Sequence, residues 1–71
     1  MITTYERLRG LLNSTVYVLD GHLVTQGKLV QGDREGNAYV LLHDGRTVCR
    51  DGRYGVFTNP GDAEAIAAEL E

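Results

Sequence analysis

Apolar residues follow a helical spacing at both ends of the chain. At the start they recur at intervals of three and four, which predicts an amphipathic helix over residues 4–12 with Thr4 as its N-cap. The apolar positions of this stretch are Tyr5, Leu8, Leu11 and Leu12. The same spacing returns over residues 62–70, where Asp62 is the expected N-cap of a second helix.

The middle of the chain is built from short runs of β-branched, aromatic and other apolar residues, which predict strands. The predicted strands cover residues 15–19, 22–31, 38–42, 46–50 and 53–58. Asp-Gly pairs, which are typical of tight hairpin turns, stand at positions 20–21, 44–45 and 51–52. The third run is nearly all apolar, so it is expected to be the most buried strand.

Glycines inside two of these runs, Gly27 and Gly55, indicate bends of the kind that small barrels need. The sequence therefore predicts one mainly-β domain over residues 1–71. Its core is a five-stranded, strongly bent antiparallel sheet, an SH3-like small barrel with an N-terminal and a C-terminal helix. An OB-fold is disfavoured because the strands are short and no helix separates the third from the fourth.

Composition narrows the range of functions. The chain has 71 residues, of which 42% are hydrophobic and 24% charged, as in ordinary globular domains. A chain this short buries only about 60% of its unfolded surface, and oligomerisation is one common way to gain more. The net charge of −3 counts against gripping nucleic acid by charge alone. Arg46, Arg50 and Arg53 are close in sequence and would still form a local basic patch.

No pattern of residues indicates catalysis or metal binding. Cys49 is the single cysteine, so an intramolecular disulfide or a multi-cysteine zinc site is excluded. His22 and His43 each flank an Asp-Gly turn and are interpreted as exposed hairpin residues. Since no nucleophile is paired with a base, the sequence predicts a non-enzymatic protein without cofactor or metal.

The expected compartment is the cytoplasm. No stretch approaches the roughly 20 apolar residues of a membrane span. The first residues also lack the charged start and apolar run of a signal peptide. No association with a membrane is expected.

The segment over residues 8–42 resembles the Sm-like family of small barrels, which includes the Sm and LSm proteins and Hfq. The residues that carry the likeness are the Asp20-Gly21 turn, Gly27 and Leu29 in the second strand, and Asp33 and Asn37 at the family's Asp-x-x-x-Asn spacing. The likeness has departures. Glu35 stands where members often carry a base-stacking residue, and Arg50 meets the second family motif only loosely.

The resemblance implies a ring of six or seven subunits that binds uridine-rich, single-stranded RNA. By the same likeness, Asn37 would bind a base edge, Asp33 would hold its loop in shape, and Arg50 would supply a charge or a stacking partner. Tyr54 lies between Arg53 and Gly55, and an exposed tyrosine beside arginine suits either a base or a protein partner. The alternative hypothesis is a small barrel that binds another protein and no nucleic acid.

Overall fold

The computed structural model of the protein describes residues 3–70 and shows a mainly-β fold with two helices. Its sheet has four antiparallel strands in the order β1-β2-β3-β4 and is open. The elements are α1 (Thr4–Gly10), β1 (Thr15–Asp20), β2 (Leu23–Gly32), β3 (Asn37–Leu42), β4 (Thr47–Asp51) and α2 (Pro60–Glu69). The first four predicted strands are confirmed to within one residue at each end.

Strand β2 belongs to two hairpins at once. Its first half pairs with β1 from Leu23 to Lys28, and its second half pairs with β3 from Gly27 to Gly32. A register shift between Leu29 and Gln31 breaks the second ladder. The strand therefore changes partner around Gly27, the glycine at which the sequence predicted a bend.

The hydrophobic core lies on one face of the sheet, under α1. Its fully or almost fully buried members are Leu8, Val16, Val18, Leu29, Ala38, Val40, Leu42 and Val56. Strand β3 is buried only at alternate positions, and Leu41 remains 40% exposed. The prediction that this strand is the most buried is confirmed, since three of its six residues are buried, against two each in β1 and β2 and none in β4.

Two of the three Asp-Gly pairs form the predicted hairpin turns. Gly21 and Gly45 have φ angles of 63° and 91°, a backbone conformation that glycine adopts without strain. The third pair does not turn the chain into another strand. Strand β4 ends at Asp51, and the N–H of Gly52 donates to the carbonyl of Gly36 at 2.7 Å.

The predicted fifth strand over residues 53–58 is wrong, and so is the closed barrel. Only Phe57 pairs with β1, through two backbone hydrogen bonds to Tyr17 of 2.7 and 2.9 Å. The Asp51 carboxylate accepts the N–H groups of Arg53 and Tyr54 at 2.8 and 3.3 Å, and the N–H of Gly55 donates to the Asp51 carbonyl. These bonds fold the segment into a tight turn, so it cannot extend along β1.

Both helices have a different N-cap from the predicted one, and α2 also starts two residues earlier. Thr3, rather than Thr4, caps α1: its hydroxyl accepts the N–H of Glu6, and the helix ends at Gly10 instead of residue 12. Asn59, rather than Asp62, caps α2, since its side chain accepts the N–H of Gly61 at 2.7 Å. In each case a neighbouring side chain with the same capping ability lies in the better position.

Helix α2 is held by small residues. Ala63 and Ala67 are buried against β1 and β2, whereas Ile66 and Leu70 stay 39% and 57% exposed. Of the four residues in the predicted apolar stripe, only the two alanines are therefore buried. Neither α1 nor α2 has the length and apolar composition needed to cross a membrane, a finding limited to residues 3–70.

Candidate functional site

The loop between β2 and β3 is organised by a single carboxylate. Oδ1 of Asp33 accepts the N–H groups of Glu35 and Asn37 at 3.0 and 2.8 Å, and Oδ2 accepts the side-chain amide of Asn37 at 3.2 Å. Gly36 completes the turn with a φ of 91°. These bonds hold the Asn37 amide in one orientation at the start of β3.

These hydrogen bonds also affect ionisation. The pKa of Asp33 lies below its ordinary value, chiefly because the backbone N–H of Asn37 donates to the carboxylate. The amide of Asn37 and the N–H of Glu35 add to the same effect. Asp33 is therefore a charged acceptor at neutral pH, which strengthens its hold on the loop.

Tyr54 presents an open aromatic ring next to this loop. Its side chain is 69% exposed, and the guanidinium carbon of Arg53 lies 5.2 Å from the ring centroid. A cation at that distance interacts favourably with the ring face. The ring is thus partly ordered by Arg53 while much of its surface stays available.

Asn37 and Tyr54 line one shallow depression of about 330 Å³, here called the Asn37–Tyr54 depression. Its walls include Thr4, Glu35, Asn37, Asp51, Arg53 and Tyr54. The depression therefore brings together α1, the β2–β3 loop and the turn after β4. It offers an amide, an aromatic face and charges of both signs.

Arg50 lies away from that depression. It pairs in register with Ala38, whose side chain is buried. Asn37 immediately precedes Ala38 on β3, so its side chain points to the opposite face. The guanidinium reaches β1, where Nε and Nη2 donate to the Leu19 carbonyl at 3.3 and 3.0 Å. Nη1 donates to the carbonyl of Cys49 at 2.9 Å.

The structure thus brings together three of the four predicted site residues, Asp33, Asn37 and Tyr54, and separates Arg50 from them. Arg53 was predicted only as part of a basic patch with Arg46 and Arg50. Arg46 instead joins the two hairpin tips, with ion pairs to Asp20 and Asp44 at 2.8 and 2.6 Å. Thr4 and Arg53, which also line the depression, were not predicted as site residues, because only folding places α1 beside the turn after β4.

The remaining reactive side chains form no cluster. His22, His43 and Cys49 are exposed. Tyr39 and Cys49 face each other across β3 and β4, and the pKa of the Tyr39 phenol is raised, mainly by the charge of Cys49. Within residues 3–70, no group of three or more histidine, cysteine or acidic side chains has the arrangement to hold a metal ion.

Comparison of the chain with protein-family models, with curated proteins and with solved structures found no match.

Proposed function

We propose that this chain is a non-catalytic, Sm-like binding protein of the cytoplasm whose Asn37–Tyr54 depression takes a base of single-stranded RNA. The observation that carries the proposal is the Asn37 amide, fixed by Asp33 beside the exposed Tyr54 ring. RNA single strands are recognised by stacking on aromatic rings and by hydrogen bonds to base edges. This depression contains one group for each task.

The hydrogen-bonding capacity of Asn37 suits a base edge. Its amide has two N–H groups and a carbonyl oxygen, and the bond to Asp33 uses only one N–H. A donor and an acceptor therefore remain side by side on one planar group. Uracil offers the complementary pair, an N–H next to a carbonyl, so a uridine is the base we expect.

The Sm-like part of the proposal rests on the order of elements and on the same loop. An N-terminal helix precedes a meander of strands, β2 is shared between two hairpins, and Phe57 returns to the free edge of β1. Asp33 holds the Asn37 loop, which is the role that the family resemblance implies for it. Assembly into a homo-oligomeric ring belongs to this proposal.

Binding of a fluorescently labelled hexauridine, followed by anisotropy at low salt, tests the function. We expect Tyr54→Ala to weaken binding about 5- to 150-fold, the range for one lost base–aromatic stack. Asn37→Ala should weaken it as well. Leu23→Ala is the matched control, because Leu23 is 72% exposed on β2 and does not line the depression. No binding by the unaltered protein, or equal losses in all three variants, would refute the proposal.

A second candidate is recognition of another protein by edge-strand pairing. Strand β4 pairs with β3 on one side, and no strand within residues 3–70 pairs with its other side. An unpaired edge is a template for a strand from a partner. A monomeric native mass together with no hexauridine binding would favour this candidate, whereas a mass of six or seven copies would favour the ring.

A further inference from the structure

One end of the molecule gathers most of the arginines around two tyrosines. The guanidinium carbons of Arg9 and Arg34 lie 5.8 and 5.5 Å from the ring centroid of Tyr5. Arg53 lies over Tyr54 in the same way. With Arg7 on α1, four of the seven basic residues of the chain belong to this end. Arg7 and Arg9 lie on α1 with Tyr5, and the fold adds Arg34 from the β2–β3 loop and Arg53 from the turn after β4.

A second depression adjoins the first along α1. This α1 groove has walls that include Thr4, Glu6, Arg7, Leu11, Arg53 and Thr58. Thr4 and Arg53 also line the Asn37–Tyr54 depression, so the two hollows share a border. A flexible ligand that enters one of them can therefore continue into the other without leaving the surface.

Charge is distributed unevenly between this end and the rest of the chain. The acids of this end are matched in number by its four arginines, and they are Glu6, Asp33, Glu35 and Asp51. Asp33 and Asp51 each accept two backbone N–H groups, which partly offset their charge. The net charge of −3 therefore arises outside the arginine-rich end.

Helix α2 carries much of that negative surplus. Asp62, Glu64 and Glu69 lie on it, and its sequence contains no basic residue. The negative charge of α2 repels a polyanion. At the arginine-rich end, by contrast, positive and negative side chains are equal in number. The acidic overall charge is therefore compatible with binding a phosphate chain at the arginine-rich end.

We infer that the RNA strand continues from the Asn37–Tyr54 depression across Thr4 into the α1 groove, where Arg7 and Arg53 neutralise its phosphates. This inference rests on the proposed function, since it adds a phosphate-binding surface to the proposed base site and states the path of the RNA strand between them. Arg7 is held in place for this task, because its Nη1 donates to the Gly52 carbonyl at 2.7 Å and its other N–H groups remain for a ligand. The ligand chemistry is a phosphodiester backbone adjoining a stacked base.

Salt dependence and ligand length test the inference together. Affinity is measured for labelled di-, tri-, tetra- and hexauridine over a range of salt concentrations. Each phosphate contact on a single strand contributes about 0.7 to the slope of log affinity against log salt. We expect Arg7→Gln and Arg53→Gln each to reduce that slope by about 0.7. Affinity should also rise as nucleotides are added beyond the first stacked base.

Two further variants make the outcome decisive. Arg46→Gln removes the same charge at the distant hairpin tips and should leave the slope unchanged. Arg53→Lys keeps the charge and should retain the slope. Thermal melting of each variant checks that the fold is intact, and Arg53→Gln carries the test if Arg7→Gln unfolds. Equal slopes in Arg53→Gln and Arg46→Gln, with no gain from added nucleotides, would overturn the inference.

The same data separate this inference from the function on which it rests. If hexauridine binds and Tyr54→Ala weakens it while the arginine variants match the Arg46 control, the base site stands and its extension is wrong. If no oligouridine binds at any length or salt concentration, the proposed function itself is wrong, and the extension is overturned with it.

Discussion

The side chain of Leu8 fills the space that a Cβ atom would need at Gly52. A Cβ built on Gly52 would lie 2.6 Å from Cδ1 of Leu8, and one built on Gly32 would lie 2.6 Å from its Cβ. Leu8 is completely buried, although α1 has only seven residues. A helix this short is not stable alone, so its attachment depends on the close approach that these two glycines allow.

Replacing Gly52 should therefore loosen α1. In Gly52→Ala the new methyl group would also lie 2.6 Å from the Gly36 carbonyl oxygen, which is backbone and cannot rotate away. We expect the free energy of unfolding to fall by about 1–3 kcal/mol, the usual cost of overpacking. Urea denaturation measures it. Gly10→Ala is the control, since nothing lies within 4 Å of its Cβ, and it should be neutral or slightly stabilising.

The partner change in β2 makes Gly27 equally sensitive. A Cβ on Gly27 would lie 2.6 Å from Cγ1 of Val40 and 2.8 Å from the carbonyl oxygen of Leu41. Gly27→Ala should cost about 1–3 kcal/mol in the free energy of unfolding, because β3 must move away from β2. Equal stability of Gly27→Ala and the unaltered protein in urea would show that the sheet does not need this close approach.

Acid should release the β2–β3 loop. The pKa of Asp33 is lower in the folded protein than its ordinary value of 3.8. A carboxylate with a depressed pKa stabilises the fold above its unfolded pKa, and that contribution is lost as pH falls through the folded pKa. We expect the Asn37 amide resonances in NMR spectra to stay constant near neutral pH and to shift only below about pH 4.

The Asp33→Asn variant isolates that effect. Its loop resonances should already differ at neutral pH, and the acid-dependent shift should be absent. Glu69→Gln, which removes an exposed carboxylate from α2, should keep the full shift. An unchanged acid response in Asp33→Asn would mean that another group controls the loop.

Arg50 should matter more for stability than for ligand binding. Its guanidinium donates twice to the Leu19 carbonyl, so Arg50→Met leaves that carbonyl without its partner. We expect a loss of about 1.5–3 kcal/mol in urea denaturation, the range for hydrogen bonds to charged groups. Hexauridine affinity should remain unchanged. Weakened RNA binding at unchanged stability would return Arg50 to the role that the family resemblance implies.

Arg46 should contribute much less to stability than Arg50 does. Its ion pairs with Asp20 and Asp44 are short, but its side chain is 55% exposed. Exposed pairs of this type are worth about 0–1 kcal/mol and weaken in salt. Arg46→Ala should therefore change the unfolding midpoint little at low salt and not at all at high salt. A loss as large as that of Arg50→Met would contradict this ranking.

The hairpins could be predicted because their signals are local. Gly21 and Gly45 take the positive φ angles that an Asp-Gly turn requires, and the runs on either side alternate with the period of a strand. The Asp33 and Asn37 pair was predicted on a different ground, the resemblance to the Sm-like family, which implies that Asp33 holds the loop in shape; the two side chains are hydrogen-bonded in the structure.

The failures have two causes, a local turn made by a side chain and contacts between residues that are far apart in sequence. The run over residues 53–58 has the residue pattern of a strand. The Asp51 carboxylate nevertheless accepts the N–H groups of Arg53 and Tyr54, and these bonds bend the segment. Arg50 and Leu19 are far apart in sequence, and no local pattern indicates that one binds the other. The approach of Arg34 to Tyr5 likewise depends on the docking of α1, whereas Arg9 lies on α1 itself, one helical turn from Tyr5.

The meander order of the strands has a consequence for how the chain folds. Every ladder in the sheet joins strands that are neighbours in sequence, so each hairpin can form by closing a short loop. The bridge between Tyr17 and Phe57 joins the two ends of the sheet and can form only after those hairpins have brought them near. Folding should therefore be fast and end with the arrival of Phe57, and substitutions at that residue should speed unfolding more than they slow folding.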